Sequence, residues 1–224
     1  MHAASPDLDF EVIGARPLAH TAVPTLGFQI LIRRTGGGPV RSVLLNTAIR
    51  IAPARRRYDS PTQERLVEIF GTSERWATTL RPLTWTQMSS VVPPFDDTTV
   101  FDLHVPCPCA VELAVVKYFR AVRDGEVPLD FLFSGTVFHS AADGALHTAQ
   151  ISWASDASFL LAGSLWREAT GDHAWIRLTR TGHDRLDAHR ARNALADWDE
   201  AIRDLLDRTA APTAADTTGA AWTP

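Results

Sequence analysis

The stretch Leu26-Gly27-Phe28-Gln29-Ile30-Leu31-Ile32-Arg33, followed by Gly36-Gly37-Gly38-Pro39 and then by Arg41 to Ile51, decides the fold class of this chain. Leu26, Phe28, Ile30 and Ile32 alternate with Gly27, Gln29, Leu31 and Arg33, the period of two expected of a half-buried strand. Val43, Leu45, Thr47, Ile49 and Ile51 then mark one face of a second strand. Strand, glycine turn, strand reads as a β-hairpin. Phe10 and Val12 predict an earlier edge strand, and Thr99 to Val105 a later one.

One helix is signposted from Ser60 onward. Ser60 stands where an N-cap belongs, Pro61 at the first helical position and Gln63 three residues after the cap. Leu66, Ile69 and Phe70 give an apolar face, and Gly71 a C-terminal stop. The segment from Trp76 to Phe95 has no clean period and reads as an ordered loop held by its tryptophans. From Val111 to Val122 the apolar run is too continuous for period alone to separate helix from strand. The turn Arg123-Asp124-Gly125-Glu126 and the alternation of Val127, Leu129, Phe131 and Phe133 favour a hairpin there. A further turn at Asp143-Gly144 leads into a strand around His147 to Trp153.

Toward the C-terminus the pattern turns helical. Thr181 with Asp184, and Asp197 with Glu200, have capping-box spacing. Leu195, Trp198, Ile202, Leu205 and Leu206 form a helical stripe. Two helices are expected, from about Thr181 to Arg192 and from about Asp197 to Arg208. The expected fold is therefore α+β: an antiparallel sheet or sandwich with one internal helix and a C-terminal helical pair. One globular domain over 1–208 and a disordered tail over 209–224 complete the picture.

Composition narrows the function classes. The 224 residues are 45% apolar and 21% charged, the balance of an ordinary globular protein. A formal net charge of −4 argues against general nucleic-acid binding, which needs a basic surface. Met1 to Phe10 carries two aspartates and no apolar run, so no export signal is expected, and no stretch approaches the ~18 apolar residues of a spanning helix. Two cysteines exclude a disulfide framework. A cytoplasmic location is the resulting expectation.

Four constellations bear on chemistry. Cys107-Pro108-Cys109 has one intervening residue, shorter than the usual spacing of paired zinc cysteines. His104, His139 or His147 would have to complete a metal shell, against the plainer reading of two small residues at a strand end. His139 and His147 would face each other across the Asp143-Gly144 turn. Ser134, His139 and Asp143 suggest a nucleophilic triad only on paper, since 134 and 139 project to opposite faces of a regular strand. The triple glycine at 36–38 lacks the lysine and helix of a phosphate loop.

The densest positive region is Arg50, Arg55, Arg56, Arg57, Arg75 and Arg81, in a chain with one lysine and 21 arginines. Arg55, Arg56, Arg57 and Tyr58, with Arg81 and Trp85, form the expected partner-binding surface, suited to an acidic partner or anionic ligand. The competing reading is a solvated rim paired with Asp59, Glu64 and Glu68. No catalytic residue and no cofactor is expected; Cys107, Cys109 and His104 are the candidate metal ligands.

Three stretches carry a resemblance. They are Arg55-Arg56-Arg57-Tyr58-Asp59 leading to Glu64-Arg65-Leu66, then Leu80-Arg81-Pro82-Leu83-Thr84-Trp85-Thr86, then Phe133-Ser134-Gly135-Thr136-Val137-Phe138. From about Phe10 to Leu206 the chain resembles an uncharacterised family of high-GC Gram-positive bacteria whose genes often accompany those of a nickel–iron hydrogenase. The resemblance implies an accessory or assembly role in the cytosol. The favoured reading is a non-catalytic accessory protein that binds a partner, with a hydrogenase subunit or maturation factor as the candidate. A small metal-handling protein is the second reading and an enzyme of unknown type the third.

Overall fold

The computed structural model describes residues 5–108, 113–141, 144–171 and 176–210. The chain divides into two compact units, Met1–Trp175 and Ile176–Pro224.

Among the described residues the first unit holds eight strands in two antiparallel sheets. β1 (Asp7–Pro17), β2 (Thr25–Thr35) and β5 (Thr98–Pro106) form a three-stranded sheet in the order β1-β2-β5. The second sheet has β4 (Leu83–Val92), β3 (Val40–Ile51) and β6 (Glu126–Ser140) as neighbours. The 15-residue β6 then pairs along one edge with two short strands: β8 (Asp156–Ala162) beside its first half and β7 (Leu146–Gln150) beside its second. Alternation places Phe28, Ile30 and Ile32 on one side of the core and Leu45, Ile49, Phe131 and Phe133 on the other, all buried. The rings of Phe10 and Phe133 stack across the interior at 4.4 Å, and Phe28 meets Phe131 edge-on at 5.1 Å. This is the sandwich the alternation predicts.

The pairing of its opening strands differs from the expected hairpin. β2 bonds β1 and β5, whereas β3 bonds β4 and β6, so the glycine segment carries the chain from one sheet to the other. Each strand has one buried face, apolar but for Thr47 on β3, and a sandwich lets those faces meet each other; a hairpin would set them side by side. Gly36 and Gly37 adopt φ of 68° and 60°, and a Cβ at Gly38 would lie 1.8 Å from the Ser140 carbonyl oxygen.

Two helical segments occupy regions expected to be loop or strand, and a third lies where the sequence carried no expectation. The stretch from Trp76 to Phe95 contains α2 (Trp76–Thr79) and the whole of β4. Its core face carries Thr86, Met88, Ser90 and Val92, half of them polar, so the alternation is weak. A bulge also intervenes, since Thr86 faces Ile49 and Thr84 faces Arg50, leaving Trp85 as the extra residue. In place of the hairpin strand expected to end at Val122 stands α3 (Ala114–Val122), with Val115, Val116, Tyr118, Phe119, Ala121 and Val122 buried. A helix covered on most sides loses its polar stripe; only Lys117 and Arg120 keep the helical spacing. α4 (Gly163–Thr170) buries Trp166, whose ring stacks on Phe119 at 3.9 Å and 2°.

The signposted helix is α1 (Ser60–Phe70). Its N-cap is Asp59, one residue earlier than expected: the Asp59 carboxylate accepts from the Thr62 N–H at 3.0 Å. Hydrogen bonding from the Thr62 side chain first, and then from its N–H, holds the Asp59 carboxyl below its usual range. Gly71 ends the helix at φ 73°, as the sequence indicates.

The second unit contains α5 (Arg180–Arg192) and α6 (Trp198–Ala210). The cap of α5 is Thr179, whose hydroxyl accepts from the Gly182 N–H, not Thr181. Asp197 and Glu200 do act as a pair at the start of α6: Asp197 accepts from Glu200 N–H at 2.8 Å, and Glu200 from Ala196 N–H at 2.7 Å. His189 Nε2 meets Asp204 Oδ2 at 2.8 Å, and Arg208 bonds both Asp204 and Asn193, tying the two helices together. Of the expected stripe, Trp198, Leu205 and Leu206 are exposed; Ala201, which the stripe did not include, is fully buried. Helix α6 carries the chain through Ala210, two residues into the expected tail; 211–224 lie outside the described residues.

Candidate functional site

The arginine run lies in the short connection between β3 and α1. This connection is pinned at both ends: the Ala52 N–H donates to the Pro128 carbonyl at 2.9 Å, and Asp59 caps the helix that follows. Between them a single 3-10 turn, Pro53–Arg55, reverses the chain.

The three arginines go separate ways. Arg55 pairs with Asp130 at 2.6 Å and donates to the Ser158 hydroxyl at 2.9 Å. Asp130 faces Arg50 across β3 and Ser158 across β8, so a polar row crosses the outer surface of the larger sheet. Arg55 also lines a recess of about 300 Å³ with Pro128, Leu129, Ser158, Phe159 and Leu160. Arg56 turns instead to the α3–β6 turn, donating to the carbonyls of Glu126 at 2.7 Å and Asp124 at 2.5 Å. Arg57 is exposed and has no hydrogen bond or ion pair among the described residues. The expected partners Asp59, Glu64 and Glu68 do not hold this cluster: Glu68 pairs with Lys117, and Asp59 caps its helix.

Two of the six expected surface residues face inward, which corrects the proposed surface. Tyr58 is half-buried; its hydroxyl donates to the Pro53 carbonyl at 2.8 Å and accepts from the fully buried Tyr118 at 2.7 Å. Burial first, and then Tyr58, hold the Tyr118 phenol well above its usual range; burial raises Tyr58 as well. Trp85 is 8% exposed and packs edge-on against Phe28, Phe119 and Trp166. The bulge in β4 aims it into the core, and its Nε1 is buried without a partner among the described residues. Arg81 remains on the surface, its Nε donating to the Thr78 carbonyl at 3.1 Å.

Of the candidate metal ligands, only Cys107 and His104 are among the described residues, and they stand apart. Cys107 is buried beyond the end of β5, its N–H donating to the Pro24 carbonyl, while His104 stands on the exposed face of that strand opposite Gly27. Cys109 and Asp143 lie outside the described residues. Among the described residues no three His, Cys, Asp or Glu side chains converge on one point. Ser134 is exposed and His139 buried, on opposite faces of β6. Sequence reasoning missed Asp130 and Ser158, although both stand at outward positions of alternating strands. Their pairing with Arg55 depends on β8, which had no signal of its own.

Among the described residues no helix is long and apolar enough to cross a membrane. The family described as "Family of unknown function (DUF6084)" matches residues 5–214, so the chain belongs to that family. No curated protein matches the chain. Among solved structures, it is similar over 70% of its length to the CARDB domain of the PF1109 protein in complex with di-metal ions from Pyrococcus furiosus, at 11% identity, 92% coverage of that chain and a TM-score of 0.26. It is also similar over 70% of its length to beta-glucosidase 3B from Thermotoga neapolitana in complex with alpha-D-glucose, at 10% identity, 17% coverage of that chain and a TM-score of 0.24. Likenesses this low carry no functional reading.

Proposed function

We propose that this member of the DUF6084 family is a non-catalytic cytosolic accessory protein that binds an acidic partner through the arginine-bearing rim between β3 and α1. The observation that carries the reading is Arg57, an exposed guanidinium without a partner among the described residues, on a connection pinned at both ends. A planar, permanently charged fork on a fixed support is suited to a carboxylate, which it can hold through two parallel hydrogen bonds. The recess lined by Arg55, Phe159 and Leu160 adds apolar surface beside a charged group, the mixture found in partner interfaces. The proposed partner class is a subunit or maturation factor of a nickel–iron hydrogenase, the candidate that the family resemblance suggests.

Affinity purification of the tagged chain from its native host, with co-purifying proteins identified by mass spectrometry, tests the reading. Stoichiometric recovery of one acidic protein, released by salt, supports it. Recovery of the chain alone at every salt concentration contradicts it.

A further inference from the structure

His139 is an inward-facing residue of β6, 3% exposed, and its Nδ1 is buried with no hydrogen-bond partner among the described residues. Buried polar atoms in folded proteins are nearly always satisfied, and an orphan points to a missing water or ion. Directly across the antiparallel ladder stands His147 of β7, which is exposed. The two ring centroids are 5.9 Å apart with their planes at 45°. An imidazole nitrogen bonds a zinc-like ion at about 2.0–2.1 Å, which sets the centroids of two rings sharing one ion roughly 5–6 Å apart.

The support is rigid on one side and open on the other. His139 faces Val40 on β3 as well as His147 on β7, so β6 is bonded on both edges at this level. Arg41, the cation at this end of β3, donates to the Ser140 hydroxyl at 2.6 Å. Successive strand residues point to opposite faces, so Ser140 and its bound guanidinium lie across the sheet from the imidazoles.

We infer that His139 and His147 form a two-imidazole site for a first-row transition-metal dication, with the remaining coordination positions open to water or to a donor from another molecule. Neutral imidazole is a preferred ligand of Zn²⁺, Ni²⁺ and Cu²⁺. The site is separate from Cys107 and does not depend on the partner-binding reading.

The experiment uses the full chain, freed of metal by chelator and titrated with Zn²⁺ by calorimetry while the imidazole signals are followed by NMR. The expected result is one bound Zn²⁺, with the His139 and His147 signals shifting together. His147→Ala, at an exposed position, keeps the wild-type melting temperature and weakens binding at least about tenfold. His139→Gln, where it folds with a wild-type melting profile, loses binding to the same degree. Absence of Zn²⁺ binding by the wild-type chain, unchanged affinity in His147→Ala, or signals that shift at other histidines instead would each overturn the inference.

Discussion

The guanidinium of Arg56 donates to the main-chain carbonyl of Glu126 at 2.7 Å, tying the β3–α1 connection to the turn that launches β6. A second bond to the Asp124 carbonyl and the Arg167–Asp124 ion pair at 2.8 Å hold the same turn, where Arg123 sits at φ 54°. Arg56 is thus a brace, while Arg57 beside it is exposed and has no hydrogen bond or ion pair among the described residues.

Arg56 and Arg57 are expected to separate in stability measurements. Arg56→Ser removes two charge-assisted bonds to main-chain carbonyls and costs about 1–2 kcal/mol, read from urea midpoints. Arg57→Ser stays within about 0.5 kcal/mol of the wild type. Equal losses would remove the distinction.

The aromatic cluster beneath α3 and α4 is a stability centre. Trp166 is 4% exposed, stacks on Phe119 and meets Trp85 edge-on at 5.4 Å. Trp166→Ala is expected to cost about 3–5 kcal/mol, the range for deleting a large buried aromatic. Chemical denaturation of the variant checks this.

Gly135 is fixed by close approach. Its φ is 143°, and a Cβ there would lie 2.0 Å from the Leu44 carbonyl oxygen on the neighbouring strand. Gly135→Ala is expected to cost more than about 3 kcal/mol, since main chain cannot move aside as a flexible side chain can. Gly144→Ala, which meets nothing within 4 Å, bears only the strain of its φ of 83° and is expected to cost less.

Alkaline pH is expected to weaken the fold through the tyrosine pair. Folding holds the Tyr118 and Tyr58 phenols protonated above the ordinary tyrosine value of about 10. Their contribution is fully present below that pH and declines as pH rises above it, because the unfolded chain then ionises and the folded chain does not. Urea midpoints measured from pH 8 upward should be flat and then fall. Tyr118→Phe should lose most of that fall.

What the sequence disclosed follows from how each element meets water. β2 and β3 have one buried face each, so Phe28 and Leu45 announce themselves by alternation. Their partners do not follow from it, because alternation says which face is buried and not which strand lies alongside. α3 is covered on most sides and its two polar positions, Lys117 and Arg120, are too few to mark a period. β4 is half polar on its inner face and bulged at Trp85, which hid both the strand and the burial of that indole. The arginine run was legible as a basic cluster. Its division into an ion pair, a brace and an exposed charge depends on Asp130, Glu126 and Ser158, which lie 70–103 residues away in the chain.

The most direct measurement is a side-by-side affinity purification of tagged wild-type and Arg57→Glu chains from the native host, with co-purifying proteins quantified by mass spectrometry. The account predicts an acidic partner held at stoichiometric level by the wild type and lost from Arg57→Glu, with the two baits melting at the same temperature. The same partners recovered in the same amounts from both baits would contradict it.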